Sequence, residues 1–201
     1  TEASPVISAN RPNKIKIETV GPPVAGVEVR FADDGEILVR GDLLMKGYWR
    51  DEHSTAAAIQ DGWLHTGDIG SCDKDGYITI TGRKKEMIVN SGGENIAPVP
   101  IEELITSFDE IDQTMVYGQN KSYLVALVFP SIEIGGNIKI IKSIFDQVNS
   151  KLSLEKKIRK FYLIDKPFSI ESGELTPTLK MKRSIIEKNY EKQIRDMYPK
   201  K

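Results

Sequence analysis

Residues 82–95, with the sequence GRKKEMIVNSGGEN, constrain the fold of this chain more than any other stretch. They combine glycine, basic residues and a short apolar run at Met87-Ile88-Val89, and they separate two segments with different patterning. The segment before them carries short β-branched runs between turns, whereas the segment after them mixes helical and strand periodicity. We therefore predict a domain boundary at Gly82, with one unit over residues 1–82 and a second over residues 83–201.

The first unit is predicted to be rich in β-structure. Apolar and polar residues alternate over residues 27–31, Asp33-Asp34-Gly35 supplies a turn, and residues 36–41 return as a partner strand, which indicates a hairpin. Three consecutive alanines within residues 54–59 favour a short helix. The β-branched residues of 77–81 predict a further strand.

The second unit is predicted to mix helices and strands. Residues 98–105 begin with proline and predict a helix with acidic residues in its first turn, and residues 114–117 and 123–129 predict a hairpin. A strand is expected at residues 161–164. Two helices are expected to turn apolar stripes to the core, the first with Ile138, Ile141, Phe145, Val148 and Leu152, and the last with Ile185, Ile186, Tyr190 and Ile194. The predicted fold class is mixed α+β.

Composition argues against several kinds of function. The 28 basic and 29 acidic residues give a net charge of −1, whereas nucleic-acid-binding proteins usually show a basic excess. The sequence has no run of about 18 apolar residues, so we predict no membrane-spanning segment in it. Cys72 is the single cysteine, so an intramolecular disulfide is impossible, and we predict a small buried or half-buried side chain. His53 and His65 lack the neighbours of a zinc site or catalytic triad, and the Asp-x-Asp-Gly turn at residues 73–76 lacks the other ligands of a calcium loop.

Three stretches carry residues suited to ligand chemistry, and each also has a plainer structural interpretation. Asp68 follows Thr66-Gly67 at the end of a predicted strand, where its carboxylate can accept hydrogen bonds from a cis-diol such as ribose or can simply complete a turn. Gly92-Gly93 offers its backbone to an anionic or extended ligand, or forms a tight turn. Lys180 can reach a phosphate or carboxylate as a point charge, or it belongs to a solvated basic face of the lysine-rich end of the chain.

Taken together, these motifs resemble the adenylate-forming superfamily, specifically acyl-CoA synthetases of the long-chain fatty acid type and, more loosely, their bubblegum-like branch. The resemblance covers essentially the whole chain. It implies that residues 1–82 are the C-terminal, β-rich part of the large AMP-binding N-terminal domain, and that residues 83–201 are the small, mobile α+β C-terminal lid domain. It also implies that most of the adenine pocket and the acyl tunnel lie in a part of the N-terminal domain outside this chain.

The resemblance implies a role for each matched residue of the first unit. Thr1-Glu2 matches the end of the family's Tyr-Gly-x-Thr-Glu motif, in which the threonine contacts the nucleotide phosphate and the glutamate helps to hold Mg²⁺ with ATP. Asp68, within the sequence WLHTGD, matches the aspartate that binds both ribose hydroxyls. Arg83 matches the arginine that also meets the ribose.

Roles are likewise implied at the joint and in the second unit. Lys85 matches the hinge residue about which the lid moves between an adenylating and a thioester-forming pose, and Gly92-Gly93 resembles the loop that faces the pantetheine channel of CoA. Lys180 matches the adenylation lysine. Many family members carry Ser-Gly-Lys where this chain has Thr178-Leu179-Lys180, and we assign the role to Lys180 rather than Lys182.

The implied reaction is the ATP-dependent ligation of a long-chain fatty acid to coenzyme A through an acyl-adenylate, with ATP, Mg²⁺ and CoA as cofactors and co-substrates. The missing N-terminal domain is the expected partner, nucleic acid is not, and the expected location is cytoplasmic, including the cytoplasmic face of a membrane. The 201-residue chain alone is predicted to be inactive. Alternatives are a fatty acyl-AMP ligase, an enzyme that loads a carrier protein, and a non-catalytic module whose basic last helix, with Lys188, Lys192 and Arg195, contacts a membrane or another partner.

Overall fold

The computed structural model describes residues 1–132 and 137–199. The chain divides into two compact units, Thr1–Glu86 and Met87–Lys201. The first unit contains β1 (Glu28–Phe31), β2 (Glu36–Arg40), α1 (Glu52–Ala58), β3 (Ile59–Gln60), β4 (Trp63–Cys72) and β5 (Ile78–Arg83). The second contains β6 (Ile88–Val89), β7 (Asn95–Ile96), α2 (Pro98–Thr106), β8 (Ile111–Tyr117), β9 (Leu124–Pro130), α3 (Ile138–Lys151), β10 (Ile158–Leu163), α4 (Arg183–Asn189) and α5 (Glu191–Asp196). The predicted mixed α+β class is confirmed.

The first unit is built on an antiparallel sheet. Its strands follow the order β1-β2-β4-β3, and β5 pairs with β4. The predicted hairpin is the β1–β2 pair. In the turn between β4 and β5, the Asp73 carboxylate accepts the N–H groups of Asp75 and Tyr77 at 2.9 Å. The buried core of this unit is small and consists of Ala3, Ile37, Val39, Leu64 and Ile78. This sheet places Arg83, the last residue of β5, beside Asp68, which lies within β4 and not at the end of a strand as predicted.

The second unit is a three-stranded sheet covered on both faces. β9 lies in the middle, antiparallel to β8 and parallel to β10. Five consecutive residues of β9, from 124 to 128, are buried, as expected for a strand covered on both faces. Helices α2 and α3 pack on one face, with Ile105 and Val148 in the core, while α4 and α5 pack on the other through Ile186 and Ile194.

Three predictions about helices in this unit were wrong. The first turn of α2 contains no acidic residue, because the helix begins at Pro98 and Glu102 falls in its second turn, buried in the unit. Ile138 is 52% exposed because it is the first residue of α3, and Ile144 faces the core. The last helix is two short helices that meet at Tyr190, whose ring packs edge-to-face on Phe168. Apolar residues at helical spacing predicted one continuous helix, because that spacing carries no information about the contact between Tyr190 and Phe168.

Cys72 also differs from the prediction, since its side chain is exposed at the end of β4. None of the helices within the described ranges has the length and apolar character needed to cross a membrane.

Candidate functional site

Asp68 and Arg83 are directly opposite each other on neighbouring strands. They are cross-strand partners in the β4–β5 pair, and Arg83 Nε lies 2.9 Å from Asp68 Oδ1. The Asp68 side chain is 27% exposed and that of Arg83 is 51% exposed, so both remain accessible. The Asp68 carboxylate is thus paired with Arg83 but still partly exposed, so hydroxyl donors can reach it.

The same two residues line a cavity of about 310 Å³ in the first unit. Thr1 and Glu2 line it as well, so the structure brings together four residues that lie at opposite ends of the unit's sequence. The other lining residues are Ala3, Pro5, Ile7, Tyr48, Ala58, Leu64, His65 and Thr66. A single cavity therefore presents two carboxylates, a guanidinium and several hydroxyl groups.

Glu2 is held by the segment around Tyr48. The Tyr48 hydroxyl donates to Glu2 Oε1 at 3.0 Å, and the Met45 N–H donates to the Glu2 carbonyl at 2.8 Å. The pKa of Glu2 is lowered, mainly by a hydrogen bond from its own backbone N–H and then by the Tyr48 hydroxyl. Glu2 is therefore an anion at neutral pH and suits a cation.

A magnesium ion bound here would depend on few protein ligands. Within residues 1–132 and 137–199, no three His, Cys, Asp or Glu side chains converge as a metal site. Mg²⁺ commonly takes one or two carboxylates and completes its octahedron with substrate phosphates and water. Glu2 as a single anionic carboxylate fits that mode of binding.

Glu36 is a buried carboxylate next to this cavity, and its importance was not predicted. Only 3% of the residue is exposed, although it opens the apolar strand β2. Its carboxylate accepts hydrogen bonds from Lys84 Nζ at 2.9 Å, from His65 Nδ1 at 3.1 Å and from the Gly67 N–H at 3.0 Å. The only sequence signal is one acidic residue before Ile37-Leu38-Val39, which does not reveal the partners.

Lys85 lies at the end of the first unit, in a one-turn 3₁₀ helix that spans Lys84–Glu86. It is exposed, whereas its neighbour Lys84 is tied to Asp34 at 2.6 Å and to Glu36. The predicted hinge residue thus directly follows a lysine that two carboxylates anchor. The structure divides the chain after Glu86, and the division predicted at residue 82 stays a prediction about the domains of the whole protein.

Gly92 and Gly93 form a tight, exposed turn between β6 and β7. The Asn90 side chain accepts the Gly92 N–H at 2.8 Å and the Glu94 N–H at 3.1 Å, and the Gly93 N–H donates to the Asn90 carbonyl at 3.0 Å. Gly93 has a φ of +84°, a conformation that favours glycine. Because the turn itself uses both glycine N–H groups, these groups are not available to a phosphate. A ligand could still approach the side-chain-free surface.

Lys180 is exposed on a small loop that is fixed at both ends. The Thr176 N–H donates to the Lys180 carbonyl at 2.8 Å, and the Lys182 N–H donates to the Glu174 carbonyl at 2.8 Å. Glu174 is buried and accepts from Asn189 of α4 at 2.9 Å. Within the part of the chain that the structure describes, the Lys180 ammonium has no ion-pair partner. The loop therefore presents a lysine to solvent from a firm base.

The antiparallel sheet of the first unit and the small α+β unit that follows it have the fold of the adenylate-forming enzymes. O-succinylbenzoate coenzyme A synthetase (MenE) from Bacillus subtilis, solved in complex with AMP, superposes with a TM-score of 0.73. The two sequences are 26% identical, and the match covers 92% of this chain and 38% of that one. This likeness agrees with the predicted adenylate-forming fold.

Sequence comparisons identify the family. The profile described as "AMP-binding enzyme C-terminal domain" matches residues 85–201. The long-chain-fatty-acid–CoA ligase FadD15 of Mycobacterium bovis is 38% identical over 222 residues, which is 100% of this chain and 37% of that protein. Long chain acyl-CoA synthetase 3 of Arabidopsis thaliana is 35% identical over 227 residues, covering 94% of this chain and 34% of that protein. The chain belongs to the AMP-binding, adenylate-forming enzymes, with long-chain fatty acyl-CoA synthetases among its relatives, and spans about a third of the length of these relatives.

Proposed function

We propose that this chain is part of an enzyme that joins a long-chain fatty acid to coenzyme A through an acyl-adenylate. The observation that carries the proposal is the single cavity shared by Thr1, Glu2, Asp68 and Arg83. These residues were matched to nucleotide-binding positions through separate motifs, and their meeting at one cavity supports a common ligand for them. The names of the relatives supply the acyl and CoA substrates, because those relatives are long-chain fatty acid–CoA ligases.

Asp68 is the proposed acceptor for the ribose hydroxyls of ATP. A carboxylate can accept two hydroxyl hydrogen bonds, and that of Asp68 stays partly exposed beside Arg83. Arg83 would orient the aspartate while its remaining N–H groups face the ligand. Thr1 and Glu2 would then lie at the phosphates, where Glu2 holds Mg²⁺ that offsets phosphate charge.

Lys180 is the proposed adenylation lysine. Both the attacking carboxylate and the α-phosphate are negative, so a positioned ammonium stabilises the transition state between them. The local backbone supports Lys180 over Lys182, because Leu179 has a φ of +60°, the left-handed conformation that glycine favours. Leu179 therefore has the conformation expected at the family's Ser-Gly-Lys glycine, and Lys180 is the lysine that follows it. Lys182 instead precedes α4 as its N-cap residue.

Delivery and withdrawal of Lys180 fall to the hinge. We infer that motion about Lys85 brings the lysine to the nucleotide for adenylation and removes it when CoA attacks. The anchored Lys84 gives that motion a fixed starting point in the first unit. The exposed turn with Gly92 and Gly93 would face the pantetheine of CoA in the second pose, as a surface without side chains in the way.

Replacing Asp68 with alanine tests the nucleotide site. In the complete enzyme, we expect Asp68→Ala to lower kcat/KM for ATP by about tenfold to a hundredfold, because hydrogen bonds to a charged group are lost. Initial rates of CoA-dependent AMP release, with ATP varied and a fatty acid saturating, measure this effect. Asp42→Ala is the matched control, since Asp42 is exposed in the same unit and does not line the cavity. An equal response of the two variants would contradict the assignment.

The 201-residue chain by itself is expected to be inactive, because it spans only about a third of the length of the ligases that it resembles. The measurement is ATP–pyrophosphate exchange with the purified chain and a long-chain fatty acid. Exchange above the buffer level would contradict this expectation. In the complete enzyme, AMP release that requires CoA separates the proposal from a fatty acyl-AMP ligase and from an enzyme that loads a carrier protein.

A further inference from the structure

Glu36 has no part in the proposed chemistry, yet its contacts surround the residues that do. Its two oxygens receive three hydrogen bonds, and each donor belongs to a segment that flanks the Asp68–Arg83 pair. Gly67, which donates to Oε1, immediately precedes Asp68. Lys84, which donates to Oε2, immediately follows Arg83. The Glu36 carboxylate thus connects β4, at the residue before Asp68, with the residue that follows Arg83 at the end of β5.

The backbone ladder is irregular at this place. In the β2–β4 pair, Glu36 faces Ile69 and Leu38 faces His65, so the register shifts within the segment that leads to Asp68. The β4–β5 register also shifts between Ile69 and Gly70, directly after Asp68. Such bulges aim a side chain but leave the ladder locally disrupted. The Glu36 side chain supplies hydrogen bonds where regular strand pairing is interrupted.

Gly67 needs this support because it is conformationally free. Its φ is +72°, and a Cβ placed on it would meet nothing within 4 Å, so packing does not fix the residue. Three hydrogen bonds hold this segment instead. Glu36 accepts the Gly67 N–H, and the Thr66 hydroxyl donates to the Ile37 carbonyl at 2.7 Å while accepting the Asp68 N–H at 3.1 Å. The bonds to Glu36 and Ile37 tie the approach to Asp68 onto β2.

The charge of Glu36 is maintained at this buried position. Burial alone raises the pKa of the Glu36 carboxyl, but the hydrogen bonds from Lys84, His65 and the Gly67 N–H, with the charge of Lys84, outweigh burial and leave the pKa lowered. The ionised form therefore persists at neutral pH. A carboxylate can accept from all three donors at once, which an amide side chain cannot.

We propose that Glu36 is a positioning residue for the nucleotide site, acting through Gly67 and Lys84 to fix the Asp68–Arg83 pair in the geometry that binds a ribose diol. This inference rests on the proposed function, because it takes the ribose as the ligand of Asp68. Glu36 itself does not touch the ligand. The effect of replacing Glu36 is therefore expected to depend on the presence of Asp68 and of the ribose hydroxyls. A general effect on folding would be independent of both.

The test compares ATP with 2′-deoxy-ATP in the complete enzyme. Glu36→Gln keeps the volume and one acceptor but removes the charge that holds Lys84. We expect kcat/KM for ATP to fall about tenfold or more, as for a lost charged hydrogen bond, and kcat/KM for 2′-deoxy-ATP to fall much less. In an Asp68→Ala background, Glu36→Gln should cause little further loss, because residues acting as one unit are not additive. Glu28→Gln is the control, since Glu28 forms an exposed ion pair with Arg40 in the same sheet and should change neither value.

Each outcome decides the matter. Equal losses for ATP and 2′-deoxy-ATP, additive with Asp68→Ala, would show that Glu36 is only structural and would overturn the inference while leaving the proposed function intact. If Asp68→Ala does not change the preference for ATP over 2′-deoxy-ATP, the ribose assignment fails, and the inference fails with it. Should Glu36→Gln fail to fold, Lys84→Met removes the same hydrogen bond through its half-exposed partner. We then expect a smaller loss of kcat/KM for ATP, again larger than the loss for 2′-deoxy-ATP.

Discussion

Lys180→Ala is expected to lower the rate of adenylate formation in the complete enzyme about a hundredfold to a thousandfold while sparing thioester formation from a supplied acyl-adenylate. The ammonium is needed only where charge accumulates between the fatty carboxylate and the α-phosphate, and removal of such a positioned donor typically costs about 10²–10³ in kcat. The second half-reaction begins after that bond has formed. The two steps are measured separately, by ATP–pyrophosphate exchange and by CoA consumption with synthetic acyl-AMP.

The structure makes this variant a clean one. Lys180 is exposed and forms no ion pair within residues 1–132 and 137–199, and its loop is held by backbone bonds that alanine retains. Lys182→Ala is the matched control, because Lys182 is also exposed and lies two residues away, at the start of α4. Equal loss of both half-reactions, or a larger loss of adenylation in Lys182→Ala, would count against the assignment of Lys180.

Glu102→Ala is expected to destabilise the second unit strongly, lowering the free energy of unfolding by about 3–5 kcal/mol. Glu102 is 5% exposed and forms a two-pronged ion pair with Arg183, in which Arg183 Nη1 donates to Oε1 at 2.9 Å and Nη2 contacts Oε2. The same Oε1 accepts the Val116 N–H at 2.7 Å. Removing the carboxylate leaves a largely buried guanidinium and a buried N–H without partners.

The measurement is urea unfolding of the chain by circular dichroism, with hydrogen exchange of the Val116 amide as a local readout. Glu103→Ala is the control on the same helix, since Glu103 is exposed and should change stability by no more than about 0.5 kcal/mol. Replacing both Glu102 and Arg183 with apolar residues should recover much of the loss, because no unpaired charge remains. A Glu102→Ala variant as stable as Glu103→Ala would refute a stabilising role for the pair.

Arg183 also connects this ion pair to the proposed chemistry. It is the first residue of α4, three residues after Lys180, so the pair joins the start of α4 to α2 and β8. The loop that presents Lys180 is fixed on its other side by the buried Glu174. Two buried carboxylates, neither matched by a functional motif, thus support the base of one exposed lysine.

Several features could be predicted from sequence because they depend on residues close together in the chain. Alternation and turn residues predicted the β1–β2 hairpin and the β8–β9 hairpin, and both are confirmed. Short motifs singled out Asp68 and Lys180, because the chemistry of a diol or a phosphate demands particular side chains at particular places, whereas Arg83 was identified from the family resemblance. The likeness to long-chain fatty acid–CoA ligases is confirmed by the comparisons. The roles of the individual residues stay predictions.

Other features required the tertiary structure because they join distant residues. The sequence alone determined that residues 82–95 lie between two differently patterned units, and it identified candidate residues on both sides. It did not reveal that Glu2 meets Tyr48, that Glu36 meets Lys84 or that Glu102 meets Arg183. The Tyr48 hydroxyl is 46 residues away from Glu2 in the chain. Buried carboxylates such as Glu36 and Glu102 are tolerated only where the fold brings donors to them, and those donors are 48 and 81 residues away. Local patterning determined which residues could act, and long-range hydrogen bonds decided how they are held.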